Sequence, residues 1–256
     1  MTNNEKWAQA LWDAEHNLEP IEQLTKQDPT LKLEDAYEIQ LINIDKKLKA
    51  GDVVTGKKIG LTSLAMQRSL NVDTPDFGIL LESMRVKDGV IHKNDILQPR
   101  MEGELAFVMK EDLNGRFTPE DVLRATEYIT PAIEVVGSRI KDWKLTLTDT
   151  VSDNASCGMY VESGIKLDPH TDIGNVHMTM YNNGVEINNG YGKDVMGNPV
   201  NAVVWLAECL SRYGVTLNKG DFVLAGALTA AVPAKPGDNF KLVFDGIGEM
   251  ELKFEE

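Results

Sequence analysis

Apolar residues recur at helical spacing through the first 50 residues of the chain. Trp7, Leu11 and Ala14 follow one another at intervals of four and three residues, and a second amphipathic stretch covers residues 36–48. Each pattern predicts a helix with one apolar face. The sequence Asp28-Pro29-Thr30 lies between them and predicts a break.

After residue 50 the pattern changes to short apolar runs separated by turn residues, which is typical of strands. The predicted strands cover residues 53–61, 84–91, 98–109, 130–136, 177–181, 222–225 and 240–243. Residues 73–78 have the turn chemistry of a loop, and Asn182-Asn183-Gly184 predicts a hairpin because Asn and Gly adopt the backbone angles that tight turns require.

Two helices interrupt these strands. The first begins at Thr118 as N-cap, with Pro119 at the first helical position and Asp121 in the capping-box position, and continues over residues 122–128. The second runs from Pro199 or Asn201 to about residue 213, where Gly214 closes it. The chain therefore predicts an α+β fold, with an N-terminal helical segment at 1–50 and a larger strand-rich domain at 51–256.

Three glutamates occur where buried strands are predicted. Glu102 and Glu104 share one strand face, and Glu134 lies in another apolar run. Carboxylates beside apolar packing need a compensating positive charge. Three of them suit a hard divalent cation such as Mg²⁺ or Mn²⁺. The alternative is a solvated strand edge on which Arg100 or Arg139 pairs with the glutamates.

Composition limits the class of protein. A net charge of −14 over 256 residues argues against nucleic-acid binding, which needs a basic surface. No apolar run is long enough to span a bilayer, and the N-terminus lacks a signal-peptide pattern. The four histidines lack zinc-ligand spacing, and the two cysteines, Cys157 and Cys209, suggest no disulfide framework. We expect a cytoplasmic protein without membrane or nucleic-acid partners.

Five stretches of the chain together resemble one known family. They are residues 56–63 (GKKIGLTS), 75–78 (PDFG), 98–107 (QPRMEGELAF), 131–139 (PAIEVVGSR) and 149–158 (DTVSDNASCG). The chain resembles the 2-oxopent-4-enoate (2-hydroxypenta-2,4-dienoate) hydratases, which belong with the 4-oxalocrotonate decarboxylases to the fumarylacetoacetate hydrolase superfamily. Five stretches in order, over nearly the whole chain, are far more specific than any one of them.

The resemblance implies a mixed β-roll with an N-terminal helical cap, and a Mg²⁺ or Mn²⁺ site made by Glu102, Glu104 and Glu134. It also implies a homo-oligomeric enzyme of the meta-cleavage catabolism of aromatic compounds. Such an enzyme adds water to 2-hydroxypenta-2,4-dienoate and yields 4-hydroxy-2-oxopentanoate. Because hydratases and decarboxylases of the family associate, a complex with a homologous decarboxylase is a further expectation.

The resemblance also implies roles for individual residues. Lys58 lies beside the metal-bound oxygens, where a cation favours its neutral form and lets it relay protons, and Asp76 handles the C5 proton or activates the water. Alternatively, Lys58 only neutralises a carboxylate, and Asp76 caps a turn after Pro75. Ser156, Leu61 and Leu228 are candidate substrate-binding residues, the last two through nearby backbone amides. Cys157 is interpreted as a packing residue.

Other members of the superfamily remain alternatives. The decarboxylases share the three glutamates and Lys58, but they typically carry an aliphatic residue in place of Asp76, and this favours the hydratase. Residues 228–233 and 35–40 look as much like the decarboxylases or the 2-oxohept-3-enedioate hydratases, which leaves the substrate length open. A noncatalytic 2-oxo acid-binding protein is an alternative of another class, disfavoured because Lys58 and Asp76 accompany the glutamates.

Overall fold

The computed structural model describes residues 1–63, 67–68, 71–113, 115, 117–212 and 214–256. These ranges contain six α-helices: α1 Asn3–Asn17, α2 Leu24–Gln27, α3 Leu33–Lys49, α4 Pro119–Ala125, α5 Leu147–Ser152 and α6 Pro199–Ser211. In the part of the chain so described, no helix combines the length and apolar character needed to cross a membrane.

The strands of the described ranges form two sheets. In chain order they are β1 Val54–Gly60, β2 Asp76–Leu81, β3 Val90–His92, β4 Arg100–Met109, β5 Thr126–Val136, β6 Met159–Glu162, β7 His177–Asn182, β8 Val185–Tyr191, β9 Phe222–Ala227, β10 Val232–Pro233, β11 Asn239–Phe244 and β12 Gly248–Glu255. The seven-stranded sheet has the order β2-β1-β9-β4-β5-β6 with β10 beside β4, and the five-stranded sheet has the order β3-β12-β11-β7-β8.

The seven-stranded sheet curls until its two edges approach each other. The amide of Val86, just after β2, donates to the carbonyl of Tyr160 in β6 at 2.9 Å. Likewise, Lys58 of β1 reaches Glu134 of β5, although β9 and β4 lie between those strands. The sheet therefore forms a roll with an enclosed inner face.

Alternation along the strands gives the two faces of this sheet different surroundings. The outer face contributes residues such as Met101, Leu105 and Phe107 to a core shared with the second sheet and with α4 and α6. Gly103 lets the two sheets pack closely at this point, because a Cβ there would be 2.6 Å from the side chain of Leu242 in β11. The inner face carries a smaller apolar cluster, around Tyr160, in the depth of the roll.

The structure confirms the α+β class and most of the predicted elements. The three helices α1 to α3 lie within residues 1–50, and the break at residues 28–30 lies between two of them. The predicted hairpin joins β7 to β8, with Asn183 at φ 51° and Gly184 at φ 79° as a tight turn of that class requires. The division into a helical segment and a catalytic domain stays a prediction.

Several predicted boundaries are wrong. Residues 84–91 form no continuous strand, because a left-handed turn at Gly89 precedes the short β3. The helix predicted to reach residue 128 ends at Ala125, since Thr126 already begins β5. Residues 76–78 belong to β2, so the predicted loop ends before Asp76. The predicted end of α6 at residue 213 lies outside the described residues, and α5, β6 and β12 were not predicted.

Candidate active site

Three carboxylates meet on the inner face of the roll. Glu102 of β4 lies opposite Glu134 of β5 in the antiparallel register, and Glu104 follows on the same face two residues along. One ligand oxygen of each lies within 4.8 Å of the others. Because β4 is flanked by β9 and β5, the alternative of a solvated strand edge is wrong. We call Glu102, Glu104 and Glu134 the glutamate cluster.

Lys58 and Asp76 lie beside the glutamate cluster on the neighbouring hairpin of β1 and β2. The Lys58 Nζ is 3.6 Å from Glu134 Oε1, an ion-pair distance that is too long for a hydrogen bond. Asp76 pairs with Gly60 in the sheet, so the alternative of a turn-capping aspartate is wrong. A Cβ at Gly60 would be 2.2 Å from Asp76 Oδ1, so the glycine makes room for this carboxylate.

Buried carboxylate oxygens in this region lack hydrogen-bond partners. Within the described part of the chain, both oxygens of Glu134 and Oδ1 of Asp76 have none, although Glu134 is 1 % and Asp76 2 % exposed. Glu104 differs in having a partner, because its Oε2 accepts a hydrogen bond of 2.9 Å from the amide of Gly226. Unpaired buried oxygens are costly, and a divalent cation would satisfy them. The donor set therefore fits a hard, oxygen-preferring metal ion.

Crowding and burial raise the pKa values of these acids. Burial and the neighbouring Glu134 raise the pKa of Glu102 to about 7. Burial also raises the pKa values of Glu104, Glu134 and Asp76, although Lys58 opposes the effect in each case. Protons or a cation must therefore share the site with the glutamate cluster.

The charge state of Lys58 depends on its burial and on the same carboxylates. Burial lowers its pKa, but Glu134, Asp76 and Glu102 raise it by more, so the net shift is upward. The neutral form predicted for Lys58 thus requires a cation at the glutamate cluster to oppose these carboxylates. Without that cation, Lys58 is an ammonium group paired with Glu134.

A cavity of about 630 Å³ opens beside these groups. Lys58, Asp76 and Glu102 line it, and so do all three predicted substrate-binding residues, Leu61, Ser156 and Leu228. The amide of Leu228 donates to the Gly103 carbonyl at 2.9 Å and is therefore not free for a substrate. Leu228 lines the cavity, but the prediction that its backbone amide binds the substrate is wrong.

Ser156 enters the cavity from a strained turn. Asn154, Ala155 and Ser156 have φ values of 53°, 52° and 57°, a run of left-handed conformations that non-glycine residues rarely adopt. Such strain persists only where the surroundings enforce it, and it is common at functional sites. The Ser156 hydroxyl lies 3.2 Å from the Thr150 hydroxyl, which also lines the cavity.

A buried ion pair behind this turn supports it. Arg139 and Asp153, which we call the support pair, bond through Arg139 Nε and a carboxylate oxygen, and the second carboxylate oxygen accepts the Arg139 amide at 2.9 Å. Arg139 Nη1 and Nη2 donate to the carbonyls of Cys157 and Asp153 at 2.8 and 2.6 Å. Arg139 therefore does not pair with the glutamates, contrary to the alternative considered from sequence.

The structure adds site residues that the sequence did not indicate. Thr150, Trp143 and Arg100 line the cavity, and Gly226, at φ 115°, directs its amide towards Glu104. Arg100 makes no ion pair with the glutamates within the described residues and instead stacks on Trp143. Arg100 precedes Glu102 by two residues, and this spacing already places both on one strand face.

The chain matches known proteins over nearly its whole length. The family model for the C-terminal domain of fumarylacetoacetate (FAA) hydrolase matches residues 65–255. The 2-hydroxyhexa-2,4-dienoate hydratase of Comamonas testosteroni is 42% identical, over 98% of this chain and 97% of that protein. The 2-keto-4-pentenoate hydratase of Paraburkholderia xenovorans (strain LB400) is also 42% identical, over 98% of this chain and 94% of its own length.

A solved structure agrees with these relatives. The 4-oxalocrotonate decarboxylase from Pseudomonas putida G7, complexed with magnesium and adipate, superposes with a TM-score of 0.93 at 32% identity, covering 99% of this chain and 98% of that chain. The same decarboxylase is also known with calcium and acetate. The chain therefore belongs to the fumarylacetoacetate hydrolase family, in the branch of the 2-keto-4-pentenoate hydratases.

Proposed function

We propose that this protein is a metal-dependent hydratase that adds water to 2-hydroxypenta-2,4-dienoate and yields 4-hydroxy-2-oxopentanoate in the catabolism of aromatic compounds. The observation that carries the proposal is the glutamate cluster with unpaired buried oxygens, next to Lys58 and Asp76. Relatives 42% identical over 98% of the chain are named as hydratases of such acids, which supports the substrate class.

A divalent ion bound by Glu102, Glu104 and Glu134 would supply positive charge that orients a 2-oxo acid and stabilises its enolate form. Mg²⁺ and Mn²⁺ are our candidates, because carboxylate oxygens suit hard ions. The unpaired oxygens of Glu134 support this assignment. A related decarboxylase structure contains magnesium, which also supports it.

Lys58 and Asp76 are our candidates for the proton transfers of the reaction. Loss of the 2-hydroxyl proton and protonation of C5 give an enone, and water then adds at C4, losing a proton while C3 gains one. Asp76 is buried and burial raises its pKa, which favours a carboxyl group that can hold a proton and pass it to a carbon atom. Lys58 lies near Asp76 as well as Glu134, and a cation at the glutamate cluster would favour its neutral amine, which can accept a proton from the substrate or the water.

Ser156 and Thr150 are candidates for orienting the substrate. Their hydroxyls are 3.2 Å apart on the cavity wall, so one can donate to a substrate oxygen while the other holds its rotamer. Leu61 and Leu228 contribute apolar wall. Homo-oligomerisation, association with a homologous decarboxylase and a cytoplasmic location remain predictions from the family resemblance.

The test is turnover of freshly generated 2-hydroxypenta-2,4-dienoate by metal-stripped protein, with and without added Mg²⁺ or Mn²⁺. We expect metal-dependent loss of the dienol absorbance, with 4-hydroxy-2-oxopentanoate as the product. Release of CO₂ from 2-oxohex-3-enedioate, measured in parallel, would identify the decarboxylase instead. That second candidate deserves the parallel assay because the superposed decarboxylase covers 99% of the chain.

A substitution of Asp76 separates catalysis from binding. Asp76→Asn keeps the shape but removes the exchangeable proton, so turnover should fall by at least about 100-fold. Binding of oxalate, a planar mimic of the chelating end of the substrate, should survive in the metal-loaded variant. Unchanged turnover would remove Asp76 from the mechanism. Silence of the wild-type protein in both assays would favour a longer substrate or the noncatalytic binding protein.

A further inference from the structure

Arg100 is an unpaired cation in the wall of the active-site cavity. Arg100 is half-buried, and its side chain makes no hydrogen bond or ion pair within the described residues, although its backbone pairs in the sheet. Its guanidinium lies 4.3 Å from the centre of the Trp143 ring, a stacking contact that leaves the in-plane N–H donors free. Such an arrangement fixes the position of the cation and leaves its hydrogen-bonding capacity to a ligand.

Trp143 is itself held in place by Gln98. The indole Nε1 donates to the Gln98 carbonyl at 3.0 Å, and the Gln98 side chain accepts the Asp142 amide at 2.8 Å. Gln98, Asp142 and Trp143 all have left-handed backbone angles, with φ of 50°, 61° and 56°. Three such residues in mutual contact indicate a rigid, enforced support for the Arg100 guanidinium.

No carboxylate of the described residues forms an ion pair with the Arg100 guanidinium. The Asp142 carboxylate, which also lines the cavity, pairs with Lys144 at 3.0 Å. Glu102 shares the strand face of Arg100 but forms no ion pair with it within the described residues. The free donors of Arg100 therefore face the cavity without a protein acceptor.

We propose that Arg100 binds a second, terminal carboxylate of a 2-oxo acid, so that this cavity accepts dicarboxylates as well as monocarboxylates. The inference rests on the proposed function, because it requires the first carboxylate and the 2-oxygen to lie at the glutamate cluster. The Cα atoms of Arg100 and Glu102 are about 7 Å apart, because the residues are two apart on a strand. Both residues line the same cavity, so an extended dicarboxylate can reach both, and the planar guanidinium suits a carboxylate.

Two ligands of equal carbon number test the proposal. The dissociation constants of 2-oxohexanoate and 2-oxohexanedioate, which differ only in the terminal carboxylate, are measured by calorimetry with Mg²⁺-loaded protein. Arg100→Met should weaken binding of the dicarboxylate by about 10- to 100-fold, the scale of a charge-assisted hydrogen bond. Binding of the monocarboxylate should change by no more than about fivefold.

A matched control removes the same charge elsewhere. Arg124 lies on α4 and pairs with Glu111 on the surface, so Arg124→Met changes the net charge equally and should leave both affinities unchanged. Trp143→Ala removes the stacking partner and should weaken only the dicarboxylate, by less than Arg100→Met. Arg100→Lys keeps the charge without the planar fork and should give an intermediate loss, so the test survives if Arg100→Met fails to fold.

The outcomes separate this inference from the proposed function. Equal weakening of both ligands by Arg100→Met would overturn the inference, since Arg100 would then act on the shared end of the ligands. Unchanged binding of the dicarboxylate would overturn it too. Failure of the wild-type protein to bind either 2-oxo acid in the presence of Mg²⁺ would count against the proposed function itself.

Discussion

The glutamate cluster and the support pair are both buried and charged, but the protein treats them differently. In the support pair, Asp153 uses both carboxylate oxygens and Arg139 donates from all three side-chain nitrogens. In the glutamate cluster, neither oxygen of Glu134 has a hydrogen-bond partner. The strained turn at residues 154–156 separates the two groups.

This difference distinguishes a structural ion pair from a ligand-binding site. Buried charges normally survive in a fold only when they are paired and hydrogen-bonded, as in the support pair. Buried carboxylate oxygens without hydrogen bonds reduce the stability of the free protein, and a ligand that binds them recovers this free energy. The comparison predicts that a substitution in the glutamate cluster will act mainly on activity and one in the support pair mainly on stability.

The largest effect is expected from Glu134→Gln. Loss of one metal-ligating carboxylate should lower metal-dependent turnover by at least about 1,000-fold, because the metal supplies several kcal/mol of transition-state stabilisation. Stability of the metal-free protein should change less than activity, since the substitution relieves crowding among the three glutamates but also removes the carboxylate that pairs with Lys58. Steady-state kinetics and urea unfolding measure the two quantities.

Thermal unfolding with added Mg²⁺ gives the control for that variant. Saturating metal at about 100 times its dissociation constant should stabilise the wild-type protein by about 2.7 kcal/mol, and it should not stabilise Glu134→Gln. A variant that is still stabilised by Mg²⁺ like the wild type would contradict the assignment of Glu134 as a ligand.

Asp153→Asn is the matched substitution in the support pair, and its main effect should be on stability. It leaves Arg139 buried without its counter-charge, which should lower the free energy of unfolding by about 3–5 kcal/mol. The folded fraction should still bind Mg²⁺, because the glutamate cluster is intact. Urea unfolding and metal calorimetry check both expectations, and a fully stable variant would refute the supporting role of the pair.

Gly60→Ala tests the packing of Asp76 against the hairpin. The new Cβ would lie 2.2 Å from Asp76 Oδ1 and 3.4 Å from Lys58 Nζ, so the carboxylate must move. A displacement of this kind should lower kcat by about 100-fold. Mg²⁺ affinity should be unchanged, since the three atoms nearest to the new Cβ belong to Asp76 and Lys58 and not to the glutamate cluster. A parallel loss of metal binding would mean that the two halves of the site are coupled.

The smallest effect concerns pH and the metal-free protein. The pKa of Glu102 is raised from 4.5 to about 7, so between those values the folded state keeps a proton that the unfolded chain has lost. The contribution of Glu102 to stability should therefore fall as pH rises through this window and level off above it. Comparison of urea midpoints for wild type and Glu102→Gln isolates this slope, and parallel curves would exclude it.

Local sequence was sufficient for much of the fold. Capping residues at Thr118 and the Asn183-Gly184 turn were recognisable because their backbone requirements are met by neighbours in the chain. Boundaries failed where tertiary contacts decided them. Thr126 leaves the helix because β5 pairs with β4, and Asp76 joins a strand because β1 lies beside it.

The candidate site was predictable in part for the same reason. Period-two alternation placed Glu102 and Glu104 on one face, the apolar run around Glu134 indicated a third buried carboxylate, and the family resemblance added Lys58 and Asp76. The support pair was not predicted, because its partners meet only when the loop after β5 packs against the turn after α5. The sequence did not predict that the Arg100 side chain lacks an ion-pair partner, because its spacing from Glu102 favoured pairing with a glutamate.

The sequence by itself determined which groups are available: three carboxylates in buried strands, one lysine, one aspartate and the α+β pattern that carries them. The tertiary structure decided which of these charges are paired. Curling of the seven-stranded sheet brings Lys58 to 3.6 Å from Glu134 across two intervening strands. Pairing depends on distances of a few ångströms between residues far apart in the chain, and local propensity does not fix such distances.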